Sequence, residues 1–150
     1  MIIYVLYYKF KKELLENGNI VLRPRILIRL TGSTTSIESA ALIDTGADVT
    51  VIPEGIAKAI GLDMSGEKGK LYAYHESCEV VSGTVGITFI GKANRENVHL
   101  KIPVLITISK EGYEDDQDIV LGVNGIFDNF DITFRKSANR IILKRVTQQR

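Results

Sequence analysis

The chain has 150 residues, 45% of them apolar and 25% charged, which suits one globular domain with its own core and excludes a disordered chain. A formal net charge of +1 removes any whole-molecule electrostatic case for nucleic acid or an anionic membrane as main partner. The single cysteine, Cys78, excludes an intrachain disulfide and fits a reducing compartment.

Residues 1–8 lack the basic head and small-residue cleavage site of a signal peptide, so an opening strand and a cytoplasmic address are expected. No stretch approaches the roughly 20 apolar residues of a membrane span. Residues 9–16 are expected to form a short helix or a solvated connection, stopped by Asn17-Gly18-Asn19. Over residues 20–30, Ile20, Leu22, Ile26, Ile28 and Leu30 alternate with Arg23, Arg25 and Arg29, the pattern of a half-buried strand interrupted at Pro24. A turn over 31–36 leads to a strand at 37–43, and another strand is expected at 49–52. Pro53 and Glu54 then open a helix that Gly61 closes.

Beyond a loop at 63–70, residues 71–74 and 79–90 read as the arms of a long hairpin, with residues 75–78 near its tip. Residues 98–109 alternate again, apart from Pro103. An acidic loop (Glu111, Glu114, Asp115, Asp116, Asp118) precedes the apolar run 119–122, and a helical turn is expected at 124–129. Strands at 130–134 and 141–146 flank a turn at 137–139. Many short strands with one or two brief helices predict an all-β domain. Strand, glycine turn and helix at 40–60 recur in shorter form at 119–129, as two similar halves meeting at a shared core would require.

The chemistry concentrates where Leu42-Ile43 delivers Asp44 into the tight turn Asp44-Thr45-Gly46-Ala47-Asp48 and Val51-Ile52-Pro53 follows. A carboxylate at the end of an apolar strand is costly to place there and calls for a function. Together with Leu121-Gly122, 78 residues beyond Asp44, this pattern resembles the single-domain aspartic proteases of the retropepsin type over roughly residues 20–146. The resemblance implies a closed, barrel-like acid-protease fold with a flap hairpin, residues 1–19 being an extra N-terminal extension of a single domain. It implies an aspartic endopeptidase with Asp44 as the catalytic acid and no metal or organic cofactor. Thr45 offers a hydroxyl to tie the turn to a neighbouring backbone, and Gly46 a positive φ and close approach. Such hydrolysis needs two carboxyls sharing a proton, one acting as general base on water. Only one motif is present, so the resemblance implies a homodimer with the site on its two-fold axis, acting on an extended peptide or unfolded protein.

Mapped onto this chain, the flap spans residues 71–84, with Tyr74, His75, Glu76 and Ser77 near its tip in place of the glycines of retroviral members. After Gly122 stand Val123-Asn124, where retroviral enzymes carry Arg-Asn, so Asp48 is expected to find another partner in Arg23 or Arg25. Plainer readings stand beside these. Asp44-Thr45-Gly46 alone suits an ordinary turn, and Asp48 suits a structural hydrogen bond. His75 and His99 lack metal-ligand spacing, and a Cys-His hydrolase built on Cys78 and His99 lacks any local motif. The basic end (Arg135, Lys136, Arg140, Lys144, Arg145, Arg150) suits a charged strand edge. The alternative from another class is a non-catalytic peptide-binding or dimerisation module on the same fold.

Overall fold

The computed structural model describes residues 4–73, 75–91, 97–109 and 118–146. In chain order the strands are β1 (Val5–Tyr8), β2 (Lys11–Leu14), β3 (Ile20–Arg23), β4 (Arg25–Thr31), β5 (Ser36–Ile43), β6 (Thr50–Pro53), β7 (Lys68–Ala73), β8 (Glu76–Phe89), β9 (Val98–Thr107), β10 (Ile119–Leu121), β11 (Phe130–Arg135) and β12 (Arg140–Arg145). Helix α1 (Glu54–Ile60) follows β6, and a 3-10 turn (Lys136–Ala138) separates the last two strands.

The sheet order β4-β5-β10-β6-β9-β8 closes on itself, because the end of β8 pairs back onto β4. Period-two alternation makes this ring. On β4, Ile26, Ile28 and Leu30 are buried and the residues between them are not, so one face fills the core and the other meets solvent. Ile43, Ile52, Val85, Ile87, Ile102, Ile106 and Leu121 complete that filling from the other strands. Glu76 to Val81 of the long β8 pair with β7, which forms a hairpin projecting from the ring.

A second sheet, β1-β12-β11, pairs the first described strand with the last. It is fastened to the ring by the edge-on packing of Phe130 against Phe89, ring centres 4.9 Å apart, and by Tyr8 Oη donating to the Ile90 carbonyl at 3.1 Å. Burial pushes the Tyr8 phenol well above its ordinary range, so this donor stays protonated. Helix α1 ends as its sequence predicts. Gly61 takes φ +82, and Gly61 N and Leu62 N donate to the Lys58 and Ala57 carbonyls, closing a Schellman motif.

Three expectations change. Residues 11–14 are neither helix nor loose connection: β2 pairs with β3, placing Lys11 opposite Arg23 and Leu14 opposite Ile20. Lys-Lys-Glu-Leu has no apolar alternation, so cross-strand pairing, not local propensity, makes this a strand. At the projecting hairpin, Ala73 faces Glu76 and His75 adopts φ +70, so Glu76, Ser77 and Cys78 lie on the β8 arm rather than in the turn. The β7 arm also begins earlier, at Lys68, because Gly69 and Lys70 pair with Val80 and Glu79. Residues 124–129 turn as expected, with Phe127 N donating to Val123 O and Phe130 N to Ile126 O, each spanning four residues as in a helical turn. Tyr74, residues 111–117 of the acidic loop and Arg150 lie outside the described residues.

Candidate active site

The internal echo of the sequence becomes a direct contact. β10 runs parallel to β5 with Ile119 opposite Ala41 and Leu121 opposite Ile43, which sets Gly122 beside Asp44. The amide of Asp44 donates to Leu121 O at 3.0 Å. Two further bonds continue the seam, from Val123 N to Ala47 O and from Asn124 N to Asp48 O, each 2.8 Å. The turn itself is closed twice over. Gly46 N donates to Asp44 Oδ1 at 2.8 Å and Ala47 N to Asp44 O at 3.2 Å, an Asx-turn nested in a β-turn.

Asp44 is half-buried, at the point where β5 leaves the core, while Thr45, Gly46 and Asp48 are exposed. Gly46 does not have the positive φ expected of it. Its lack of a side chain matters for another reason, since a Cβ there would stand 3.2 Å from Asp44 Oδ1 and crowd the carboxylate. Gly122 is more tightly constrained. A Cβ on it would fall 2.4–2.8 Å from the backbone of Val49, and backbone cannot step aside as a side-chain end can. The amide of Gly122 is satisfied by the fully buried hydroxyl of Thr50, at 3.1 Å. Thr50 had no signal in the sequence beyond its place in an apolar strand.

Cross-strand register extends the site sideways. Arg25 stands opposite Leu42, Leu42 opposite Val120, and Val120 opposite Val51. Leu42 lies two residues before Asp44 and so continues the same face of β5. Leu42, Val120 and Val51 are each half-buried between buried neighbours on their strands, which leaves an apolar shelf beside the acid. Alternation from Asp44 back to Leu42 could have found the first of these, but not its neighbours on other strands.

Arg23 and Arg25 do not go to Asp48. Arg25 Nη2 binds Asp118 Oδ2 at 3.0 Å and Arg25 Nε binds Glu13 Oε1, while Arg23 Nε lies 3.0 Å from Glu13 Oε2. Both arginines meet the carboxylate that β2 supplies, which leaves Asp48 with no ion pair among the described residues. Burial alone would lower the pKa of the Arg25 guanidinium, but hydrogen bonds and charge attraction from Asp118 and Glu13 raise it above its ordinary value. Cys78 and His99 are not brought together. Thr88, whose hydroxyl meets His99 Nδ1 at 2.7 Å, lies ten residues along β8 from Cys78. That is about 30 Å of strand.

Residues 29–124 match the family profile described as Aspartyl protease, well over half of the chain. The chain belongs to the aspartyl protease family. Among solved structures, the chain is similar to a retropepsin-like aspartic protease from Rickettsia conorii over 95% of this chain and 93% of that one, at 15% identity and a TM-score of 0.57. It is also similar to the retroviral protease-like domain of Ddi1 from Leishmania major, over 78% of this chain and 86% of that one (12% identity, TM-score 0.49). The EIAV protease in complex with the inhibitor HBY-793 is matched over 67% of this chain and 81% of that one (23% identity, TM-score 0.44). The first of these shows that the fold is retropepsin-like; no curated protein matches the sequence.

Within the fold the other expected residues separate. Asp44 to Asp48, Leu121, Gly122 and Asn124 form one continuous seam. His75, Glu76 and Ser77 sit at the far end of the β7–β8 hairpin, exposed. The Thr45 hydroxyl makes no hydrogen bond among the described residues. No helix among the described residues is long and apolar enough to cross a membrane.

Proposed function

We propose that the protein is an aspartic endopeptidase, one retropepsin-like domain per chain, whose active site forms when two copies bring their Asp44 carboxyls together on a two-fold axis. The observation that carries this is the seam at Asp44: a half-buried aspartate whose carboxylate accepts from the Gly46 amide and whose own amide donates to the Leu121 carbonyl, in a chain with a single Asp-Thr-Gly. One acid cannot both activate water and protonate the substrate carbonyl. A second copy supplies the missing carboxyl and a closed C2 arrangement needs no other component.

In the assembled site the two carboxyls share one proton, because like charges so close cannot both ionise. The ionised carboxylate takes a proton from the attacking water, and the protonated one donates to the carbonyl oxygen. Collapse of the tetrahedral intermediate returns a proton to the leaving amine. The exposed Thr45 stands beside Asp44, at the surface the second copy approaches. The β7–β8 hairpin acts as the flap and holds the substrate as an added strand through main-chain hydrogen bonds.

Peptidase activity on unstructured polypeptide, its inhibition by a statine-type mimic of the tetrahedral intermediate, and its loss in Asp44→Asn with the dimer retained are the expected results. Full activity in a contaminant-free Asp44→Asn preparation would overturn the assignment. Peptide binding without cleavage by the native dimer would favour the non-catalytic module instead.

A further inference from the structure

A cavity of about 660 Å³, lined by no residue of the Asp44 seam, opens where the base of the β7–β8 hairpin meets helix α1. Its volume is that of an ordinary small-ligand site. Strand register decides what faces it. Lys68 stands opposite Val81, and Lys70 opposite Glu79. The amide of Ile108 donates to Glu79 O at 2.9 Å, which carries the β8–β9 pairing one residue further and sets Ile108 opposite Glu79. Paired residues share a face of a sheet, so Val81, Glu79, Ile108, Lys68 and Lys70 lie on one face, and all five line the cavity. Glu54 and Lys58, one turn apart on α1, complete the wall with Met64. A smaller recess of about 180 Å³ shares Lys70, Glu79 and Ile108 and adds Ser77 and Ser109.

The charges around this cavity do not cancel. Both carboxylate oxygens of Glu54 are taken, one by Lys58 Nζ at 2.8 Å and the other by Ser109 N at 3.0 Å. Lys68, Lys70 and Glu79 are exposed and make no ion pair among the described residues, although Lys70 and Glu79 stand opposite each other. Two unpaired ammonium groups and one unpaired carboxylate therefore border an apolar patch of Val81, Ile108 and Met64. Lysines on β7, the last strand of its sheet, also discourage edge pairing, but that role calls for no cavity.

We infer that the cavity binds the C-terminal residue of a peptide, with an apolar side chain. Its carboxylate lies between Lys68 and Lys70, whose backbones are about 7 Å apart along the strand. Its side chain rests on Val81, Ile108 and Met64, and its N–H donates to Glu79. A fatty acid would satisfy the lysines but leave Glu79 against an alkyl chain. The smaller recess takes the preceding residue. For the peptidase proposed above, every hydrolysis releases one such carboxylate, so the site binds product at the base of the flap. That link rests on the peptidase reading; the binding site itself does not.

The probe is acetyl-Ala-Ala-Leu with a free carboxylate, titrated by calorimetry into the native protein and into Asp44→Asn. Both bind it alike, and a statine-type inhibitor does not displace it. The carboxamide form of the tripeptide binds the native protein about tenfold more weakly, as does the free acid in the Lys68→Gln, Lys70→Gln double variant. Isocaproate, the leucine analogue without the N–H, binds the native protein more weakly than the tripeptide, and Glu79→Gln narrows that gap. All three substituted residues are exposed, so these variants fold. Displacement by the inhibitor, undiminished affinity in the double-lysine variant, equal affinity for isocaproate, or no binding at all overturns the inference and leaves the peptidase standing. Tripeptide binding by a protein without Asp44-dependent cleavage upholds the site and removes only its link to product.

Discussion

Asp44 and Leu121 are joined by a 3.0 Å hydrogen bond from the amide of one to the carbonyl of the other, although they stand 77 residues apart in the chain. That bond ends a parallel pairing in which each strand runs into a turn at the same level. It explains why the acid is held where the two half-motifs meet, and why the residue after Leu121 has no space for a side chain.

Gly122→Ala is therefore expected to lower stability by about 1–3 kcal/mol, the range of forced overpacking, because its Cβ meets backbone. The shift is read from the midpoint of urea unfolding. Activity falls further than stability, since relief comes by moving β10 away from Asp44.

The Thr50 hydroxyl supplies the only side-chain partner of the Gly122 amide among the described residues. Thr50→Val fills nearly the same volume but leaves a buried N–H unsatisfied, costing about 1–3 kcal/mol. Thr50→Ser keeps the bond and recovers most of that loss. Equal unfolding midpoints for the two variants would refute this role.

Glu54 gives a pH dependence separate from that of the proposed dyad. Its side chain bonds Lys58 Nζ at 2.8 Å and accepts from Ser109 N at 3.0 Å, and these hold its pKa below the ordinary carboxylate value. A depressed folded-state pKa contributes stability that is present above the ordinary glutamate range and lost as pH falls through the lower value. Glu54→Gln is thus expected to be less stable by about 0.5 kcal/mol at neutral pH, the size of an exposed helix ion pair. The gap to the native protein closes in acid, as guanidinium unfolding at several pH values would reveal.

Catalysis should follow a different profile. Two carboxyls that share a proton titrate as a pair, so kcat/KM is bell-shaped and its two limbs belong to the dyad rather than to either copy. A profile with a single limb across the acid range contradicts a shared-proton site.

The legible parts of this protein were those whose chemistry is local. Asp44 and the Pro53–Gly61 helix announced themselves because turn, cap and apolar flank are adjacent in sequence, whereas Gly122 was reached through the family resemblance. The acid turn also hid something: Gly46 has no left-handed backbone, and what its missing side chain leaves open is the space beside the Asp44 carboxylate. β2 was illegible because its strand state comes from β3 across the hairpin. Arg25 was assigned the wrong partner because its acids are 12 and 93 residues away, one of them on a segment the motif does not reach. Register, which turns Leu42 and Val120 into neighbours, exists only once strands pair.

The most direct test of the account is the crystal structure of the protein with a statine-type inhibitor, read at one distance. The Asp44 carboxyls of two copies are predicted to lie about 3 Å apart across a two-fold axis, both facing the inhibitor hydroxyl. A dimer that holds the two acids far apart, or a monomer with inhibitor bound elsewhere, would contradict it.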